Sequence, residues 1–347
     1  MNFASDNHYG ASAEILRAVA AIGQAPAPAY GDDPVTARVA RRLGEVFERK
    51  VAVFPVINGT TANALALATC TPPHGAILCH AEAHIAVDEC GAPEFFTHGA
   101  KLVPIEGDDA KLTPGAVEAA LRHFQKGFVH HAQPAAISLT QATELGTAYT
   151  PDEIAAIGTV ARAHDMALHM DGARFANALV GLGCTPAELT WKSGVDVLSF
   201  GATKNGALAA EAVIFFDPGA AADFVYRRKK SGHLLSKMRF VSAQLDAYLA
   251  DGLWLANARR ANGQAQRLAQ GLARAGTIAI AHPVAANAVF ARMPKALADR
   301  LRAAGAVFYD WGAPAADGTV LARLMLSFAT PDEDVAKFVE TAISPAP

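Results

Sequence analysis

Cysteine is scarce and unpatterned, with four residues, at 70, 79, 90 and 184, in a chain of 347. They form no Cys-x-x-Cys pair and no zinc spacing, which argues against a disulfide framework and predicts reduced thiols in a cytoplasmic protein. Basic excess is missing as well. Thirty Lys and Arg against 33 Asp and Glu leave a formal net charge of −3, and the one dense basic run, Arg227-Arg-Lys-Lys230, is short. A nucleic-acid partner is therefore not expected. No stretch of about 20 apolar residues offers a membrane helix, and the first residues lack the basic-then-apolar order of a secretory signal. A P-loop and a Gly-x-Ser-x-Gly elbow are absent. Gly181-Leu-Gly-Cys-Thr-Pro186 lacks the third glycine of a dinucleotide fingerprint and follows a helical stretch rather than a strand. No internal repeat is found. What remains is a globular composition, 52% hydrophobic and 18% charged, long enough to bury a large core in one or two domains.

Two short apolar runs carry the chemistry. Val195-Asp-Val-Leu-Ser-Phe-Gly-Ala-Thr-Lys-Asn-Gly206 reads as a buried strand that ends in a small-residue turn and delivers Lys204. An ammonium at such a place loses hydration, and the neutral amine it yields can form a Schiff base; the plainer reading is a solvated turn lysine. Upstream, Ala167-Leu-His-Met-Asp-Gly-Ala-Arg-Phe-Ala-Asn177 ends a second apolar run in Asp171, with Arg174 three residues on. Taken alone, Asp171 is equally a helix N-cap. Together the two residues suit pyridoxal phosphate, which needs a lysine for its aldehyde and a carboxylate against its pyridine nitrogen.

The rest of the chain alternates strands and helices. Val51–Ile57 is predicted to be a strand running through Asn58-Gly-Thr-Thr-Ala-Asn63 into a helix over 64–69. A glycine and hydroxyl residues at a helix start make an anion site at Gly59 and Thr60, or else a simple cap. Asp33 before Pro34, and Thr150 before Pro151, Asp152 and Glu153, are helix caps. His80 and His84 lie four apart and could share a helical face, but Ala81 stands where a zincin has Glu, so no metal is expected. Helix is predicted after Pro218 as far as about 250 and again over 257–275. Strands at 287–292 and 320–328 then enclose a helix at 295–304. Arg323 sits inside that last apolar strand and needs an anion there, either a structural carboxylate or a substrate carboxylate. The expected architecture is an α/β large domain, 1–245, and a smaller α+β domain, 246–347.

His169-Met-Asp-Gly-Ala-Arg174, Ser199-Phe-Gly-Ala-Thr-Lys204, Tyr30-Gly-Asp-Asp-Pro34 and Asn58-Gly-Thr-Thr-Ala-Asn63 resemble the low-specificity L-threonine aldolases over nearly the whole chain. The resemblance implies fold type I, a mostly parallel mixed sheet between helices, and pyridoxal 5'-phosphate as cofactor. It implies cleavage of L-threonine, L-allo-threonine and related 3-hydroxy-amino acids to glycine and an aldehyde. The alternatives are a phenylserine aldolase, then another lyase or transaminase of this fold, and, in a different class, a silent regulatory relative, against which intact Lys204 and Asp171 argue. By the same resemblance His84 stacks on the cofactor ring and is the candidate base for the β-hydroxyl. Gly59, Thr60 and Arg239 hold phosphate, Arg239 from a neighbouring subunit, and Arg174 serves cofactor and substrate. Ser5, Lys229 and Arg323 face the substrate, with Lys229 toward either substrate or phosphate. Thr143 stands where many relatives have a second histidine, which leaves that role unfilled. A homo-oligomer is implied, at the least a dimer and by expectation a tetramer.

Overall fold

Seven short apolar segments become the strands of one sheet in the computed structural model, which describes residues 1–344. They are β1 (Ala52–Val56), β2 (Gly75–His80), β3 (Lys101–Ile105), β4 (Gln133–Thr140), β5 (Ala167–Gly172), β6 (Val197–Gly201) and β7 (Glu211–Phe215). Their order is β1-β7-β6-β5-β4-β2-β3, and β7 alone runs against the others. The central strands are buried on both faces, which is why they read as continuous apolar runs. Because six strands share one direction, their carboxyl ends open on one crevice, where ligands bind in folds of this kind.

Helices cover both faces for reasons visible in their first turns. Asp33 accepts the amides of Val35 and Thr36 at 3.0 and 2.9 Å to start helix Pro34–Val46. Thr150 and Glu153 form a reciprocal capping box at the head of Pro151–Ala163. The helix after β1 begins five residues earlier than its periodicity predicts, at Gly59. The helix expected as far as 250 is interrupted: Phe224–Lys230 ends, Gly232 takes a φ of 81°, and Arg239–Leu249 starts anew. His80 and His84 do not share a helical face, since His80 closes β2 and His84 opens a short helix after a turn.

One core lies under the sheet, where Phe200 is sealed among Phe47, Phe175, Tyr248 and Trp254 with ring centroids 5.8 to 6.4 Å away. Burying one such side chain stabilises by about 1.5–3 kcal/mol. A second core belongs to an antiparallel sheet of β8 (Ala279–Ile280), β9 (Ala288–Pro294), β10 (Tyr309–Asp310) and β11 (Thr319–Met325), ordered β10-β11-β9-β8. The long helix Leu253–Leu272 packs on the large sheet's helix Phe175–Leu182 and on Asp332–Ile343 beside the small sheet. The first residues of the chain cross over. Phe3 is buried in the second core, its amide bonded to Val307 and its carbonyl to the Met325 amide, each at 2.8 Å.

Gly201 ends β6 so close to the next strand's turn that an added Cβ would lie 2.5 Å from the Ala173 carbonyl oxygen and 2.7 Å from its Cα. Backbone cannot step aside as a flexible side chain can. Gly201→Ala should therefore cost about 1–3 kcal/mol, read as a lower urea midpoint with an unchanged slope.

Candidate active site

The lysine turn is fixed from below. Asn205 is buried, and its amide donates to the Tyr248 hydroxyl at 2.7 Å and to the Trp254 carbonyl at 2.9 Å. Asn257 donates to the Asn205 carbonyl and the Ser12 hydroxyl at 2.9 and 3.0 Å. Gly206 has a φ of 118° and would press a Cβ into Ser12 and Asn257, so only glycine fits there. Lys204, between these anchors, is half-buried, and its amine has no hydrogen-bond or ion-pair partner among the described residues. Beneath it Glu211 is buried at the start of β7 and accepts the Ala202 amide at 3.0 Å. Burial pushes this carboxyl up to about 7, against the Thr203 hydroxyl and the charge of Lys204, which pull it down.

Asp171 emerges from β5, the neighbour of β6, and is buried. One of its oxygens accepts the Ala173 amide at 2.9 Å and the other the Asn63 amide nitrogen at 2.8 Å. Asp171 therefore caps the turn after β5 and still has lone pairs to spare; capping and ligand holding are compatible. Asn63 also donates to Glu89 at 2.9 Å, and Glu89 accepts from His84 Nδ1 at 2.9 Å. A polar chain thus runs from Asp171 through Asn63 and Glu89 to His84. The hydrogen bond to Glu89 raises the His84 pKa, burial opposes it, and the charges of Asp171 and Glu144 add to the rise. His169, two residues before Asp171, is a structural residue. It bridges Ser138 and Ser199 across three strands at 2.8 and 3.0 Å, and burial depresses it to about 4.

The helix start at Gly59 keeps an anion site open. Asn58 caps the Thr61 amide at 2.8 Å, which leaves the Gly59 and Thr60 amides without a partner among the described residues. A Cβ built on Gly59 would meet nothing within 4 Å. His233, from the interruption between helices, reaches this place: its Nδ1 accepts the Ile57 amide at 3.5 Å, and its Nε2 lies 2.9 Å from the Thr61 hydroxyl. Burial lowers its pKa. Lys204, Asp171 and the 59–60 amides stand at the same edge of the sheet, and each retains unused hydrogen-bonding capacity of the sign that pyridoxal phosphate requires. The residues present fit that cofactor.

The remaining predicted residues are placed less uniformly. Both arms of the Arg174 fork that face Asp6 are engaged, Nε at 2.8 Å and Nη2 at 3.0 Å, in a buried pair. Ser5 caps the short turn Asp6–His8 through the Asn7 amide at 3.1 Å. Arg323 donates to the Ala4 carbonyl at 3.3 Å and lies 4.9 Å over the Trp311 ring and 5.9 Å over Tyr309. No carboxylate is ion-paired with it among the described residues, so the structural-carboxylate explanation of this arginine fails. Burial and the nearby Arg174 lower its pKa. Lys229 is exposed above the Tyr30 ring at 4.7 Å, and Arg239 is half-buried with its Nε unpaired. Asp6, Glu89, His233 and Glu211 are contributors that sequence reading missed. Asp6 and His233 pair with residues more than 160 positions away, whereas Glu89 and Glu211 bond partners within nine positions but across turns that no periodicity marks.

Comparison with known proteins first defines the class. A serine palmitoyltransferase from S. paucimobilis with bound PLP shares the fold at a TM-score of 0.69 over 99% of this chain and 86% of its own, with 13% identity. This is the fold of the type I pyridoxal-phosphate enzymes. The threonine aldolase of Leishmania major superposes at a TM-score of 0.93 over 98% of both chains with 29% identity. The low specificity L-threonine aldolase of Pseudomonas sp. is 44% identical over 334 residues, 96% of this chain and 94% of its own. The β-eliminating lyase family model matches residues 2–296. The chain belongs to the threonine aldolases within that lyase family.

The Asp6–Arg174 pair yields a test. Burial raises the Asp6 carboxyl, but the Arg174 charge and hydrogen bonds more than reverse this, so its folded value lies below 3.8. Its stabilising contribution is then complete above the unfolded carboxyl value of about 3.9 and is lost as pH falls through the lower folded value. Asp6→Asn should cost about 3 kcal/mol near neutrality by leaving Arg174 poorly paired. In urea melts the gap from wild type should be constant above about pH 5 and close progressively below about pH 4.

Proposed function

We propose that this protein cleaves L-threonine, L-allo-threonine and related L-3-hydroxy-amino acids to glycine and an aldehyde with pyridoxal 5'-phosphate. The observation that carries this reading is the exit of Lys204 and Asp171 from adjacent parallel strands onto the edge where the Gly59 and Thr60 amides point outward. When bound, the cofactor supplies a Schiff-base aldehyde and a protonated pyridine that draws electrons from the substrate's Cα. Lys204 holds the aldehyde and Asp171 the pyridine nitrogen, with Asn63 keeping Asp171 in place. Gly59 and Thr60 bind the phosphate. His84, oriented by Glu89, would stack on the ring. Arg323 receives the substrate carboxylate, with Ser5 close by in the segment that supplies the Ala4 carbonyl to Arg323.

Several wider assignments belong to the same reading. Residues 1–245 form the cofactor-binding domain and 246–347 the small domain, with the first three residues packed onto the latter. Arg239 and Lys229 lie on the segment suited to reach a neighbouring subunit's site, in a homo-oligomer of at least two and by expectation four chains. No helix among the described residues is long and apolar enough to cross a membrane, and the cytoplasm is the proposed location.

Glycine release from a panel of L-threonine, L-allo-threonine and L-phenylserine tests the reaction, and a clear preference for phenylserine would shift the reading to an aryl substrate. Lys204→Ala should abolish the absorbance of lysine-bound cofactor while the protein stays folded. Borohydride reduction and peptide mapping of the wild type should find the adduct on Lys204; an adduct on Lys192, Lys229 or Lys237 would defeat the assignment. Arg323→Lys keeps the charge but loses the planar fork, so apparent glycine affinity should fall by about tenfold or more. Because no carboxylate is paired with Arg323, the melting temperature should stay close to that of wild type.

A further inference from the structure

We propose that Glu144 is the residue that recognises the substrate's β-hydroxyl and takes its proton, in the place left open by Thr143. This rests on the aldolase reading above. The turn that carries Glu144 is pinned on three sides. At its start the Gln141 amide donates to the Asp171 carbonyl at 2.7 Å, which ties the turn to the strand bearing the cofactor's carboxylate. In its middle the Thr143 amide donates to the Thr147 carbonyl at 2.9 Å, and their hydroxyls lie 2.7 Å apart. Both hydroxyls also donate to the Asp109 carbonyl, at 3.3 and 2.7 Å. Thr143 is thereby sealed and spent on structure. Toward the small sheet Leu145 packs on the cluster of Ala288, Phe290 and Met325, against which Trp311, the ring beneath Arg323, also packs.

Glu144 is thus set between the Asp171 side of the crevice and the Arg323 side. It is half-buried, and its carboxylate has no hydrogen bond or ion pair among the described residues. Its charge is nonetheless felt by His84, Arg174 and Arg323. A half-buried carboxylate on a turn pinned to the Asp171 strand, paired with no basic group among the described residues, is placed to meet a ligand in the crevice.

Elimination among the neighbouring acids points the same way. Asp6 is bound by Arg174 and Asn287, Glu89 through one oxygen by His84 and Asn63 with the other buried, and Asp171 by Asn63 and the Ala173 amide. His84 gives its Nδ1 side to Glu89, so Nε2 is the one ring nitrogen left to accept a proton, whereas both Glu144 oxygens are uncommitted among the described residues. In the step proposed, the hydroxyl O–H bond breaks and its proton passes to a Glu144 oxygen, while its electron pair becomes the second C–O bond of the aldehyde. The Cα–Cβ bond breaks with its pair left on Cα, which must gain one proton to become glycine. One proton leaves the hydroxyl and one is needed at Cα, so no outside oxidant, reductant or base is consumed.

The test separates C–C cleavage from the chemistry at Cα that does not involve a hydroxyl. In Glu144→Gln, L-threonine cleavage should fall by roughly 10²–10⁴-fold, the usual contribution of a positioned proton acceptor, while exchange of a glycine α-proton in deuterium oxide stays within about twofold. Spectral titration should give an unchanged glycine affinity and cofactor content, and Glu144→Asp should recover part of the cleavage rate. Cleavage kept near the wild-type rate in Glu144→Gln overturns the proposal. So does a parallel fall of cleavage, α-proton exchange and glycine affinity, which would make Glu144 a structural residue. A wild-type protein that exchanges the glycine proton but cleaves no 3-hydroxy-amino acid defeats the aldolase reading itself.

Discussion

The buried carboxylate of Asp6 is the point at which three separately built parts of this protein are joined. It accepts Nε and Nη2 of Arg174, from the end of β5, and also Nδ2 of Asn287, whose amide in turn bonds the Leu326 carbonyl just past β11. One side chain from the amino-terminal segment thereby fixes the cofactor-binding sheet against the small sheet. Removing a partner from such a group leaves a buried charge uncompensated, which is far more costly than the pair is stabilising. The Ala4 carbonyl that steadies Arg323 and the Ser5 turn are held in position by the same segment, so the Arg323 end of the crevice depends on Asp6.

Polar groups in the site are arranged in order of their freedom. The amide nitrogens of Asn205 and Asn257 and the hydroxyl of Thr143 are engaged in holding turns. Asp171, Glu89 and His84 form a chain in which each is partly committed. Lys204, Arg323 and Glu144 have lateral support but no ion-pair partner among the described residues. This gradation reflects the cost of orphaned buried polar groups, which ties down the side chains that hold the turns.

Local chemistry was legible in the sequence, and remote pairing was not. The Asp33 and Thr150 caps are written within four residues, and they formed as read. The Lys204 and Asp171 strands were legible because strands buried on both faces leave short apolar runs ended by small residues. The resemblance carried the fold class and reaction further than those runs alone could. Periodicity misled at His80 and His84, where spacing by four suggested one helical face but a strand end and a turn intervene. It also ran a helix through 231–238, where a helix-compatible composition conceals Gly232 and the turn that brings His233 to Thr61. Asp6 was silent because its partners lie 168 and 281 positions away. The need of Arg323 for an anion was foreseen; that none is paired with it among the described residues took the folded structure to show.

The reversed direction of β7 has a topological consequence for the lysine. In a sheet wound wholly by crossovers, the strand following Lys204 would begin at the far end, a full strand length away. Here a hairpin returns at once, and Gly201 pairs with Glu211 in register. An acidic side chain is therefore delivered beneath the lysine turn by connectivity alone, seven positions along the chain. The hairpin makes the amine and the carboxyl neighbours in the chain, while the pairing of Glu211 with Val56 and the bonds of Asn205 to Tyr248 and Trp254 lock that unit into the sheet.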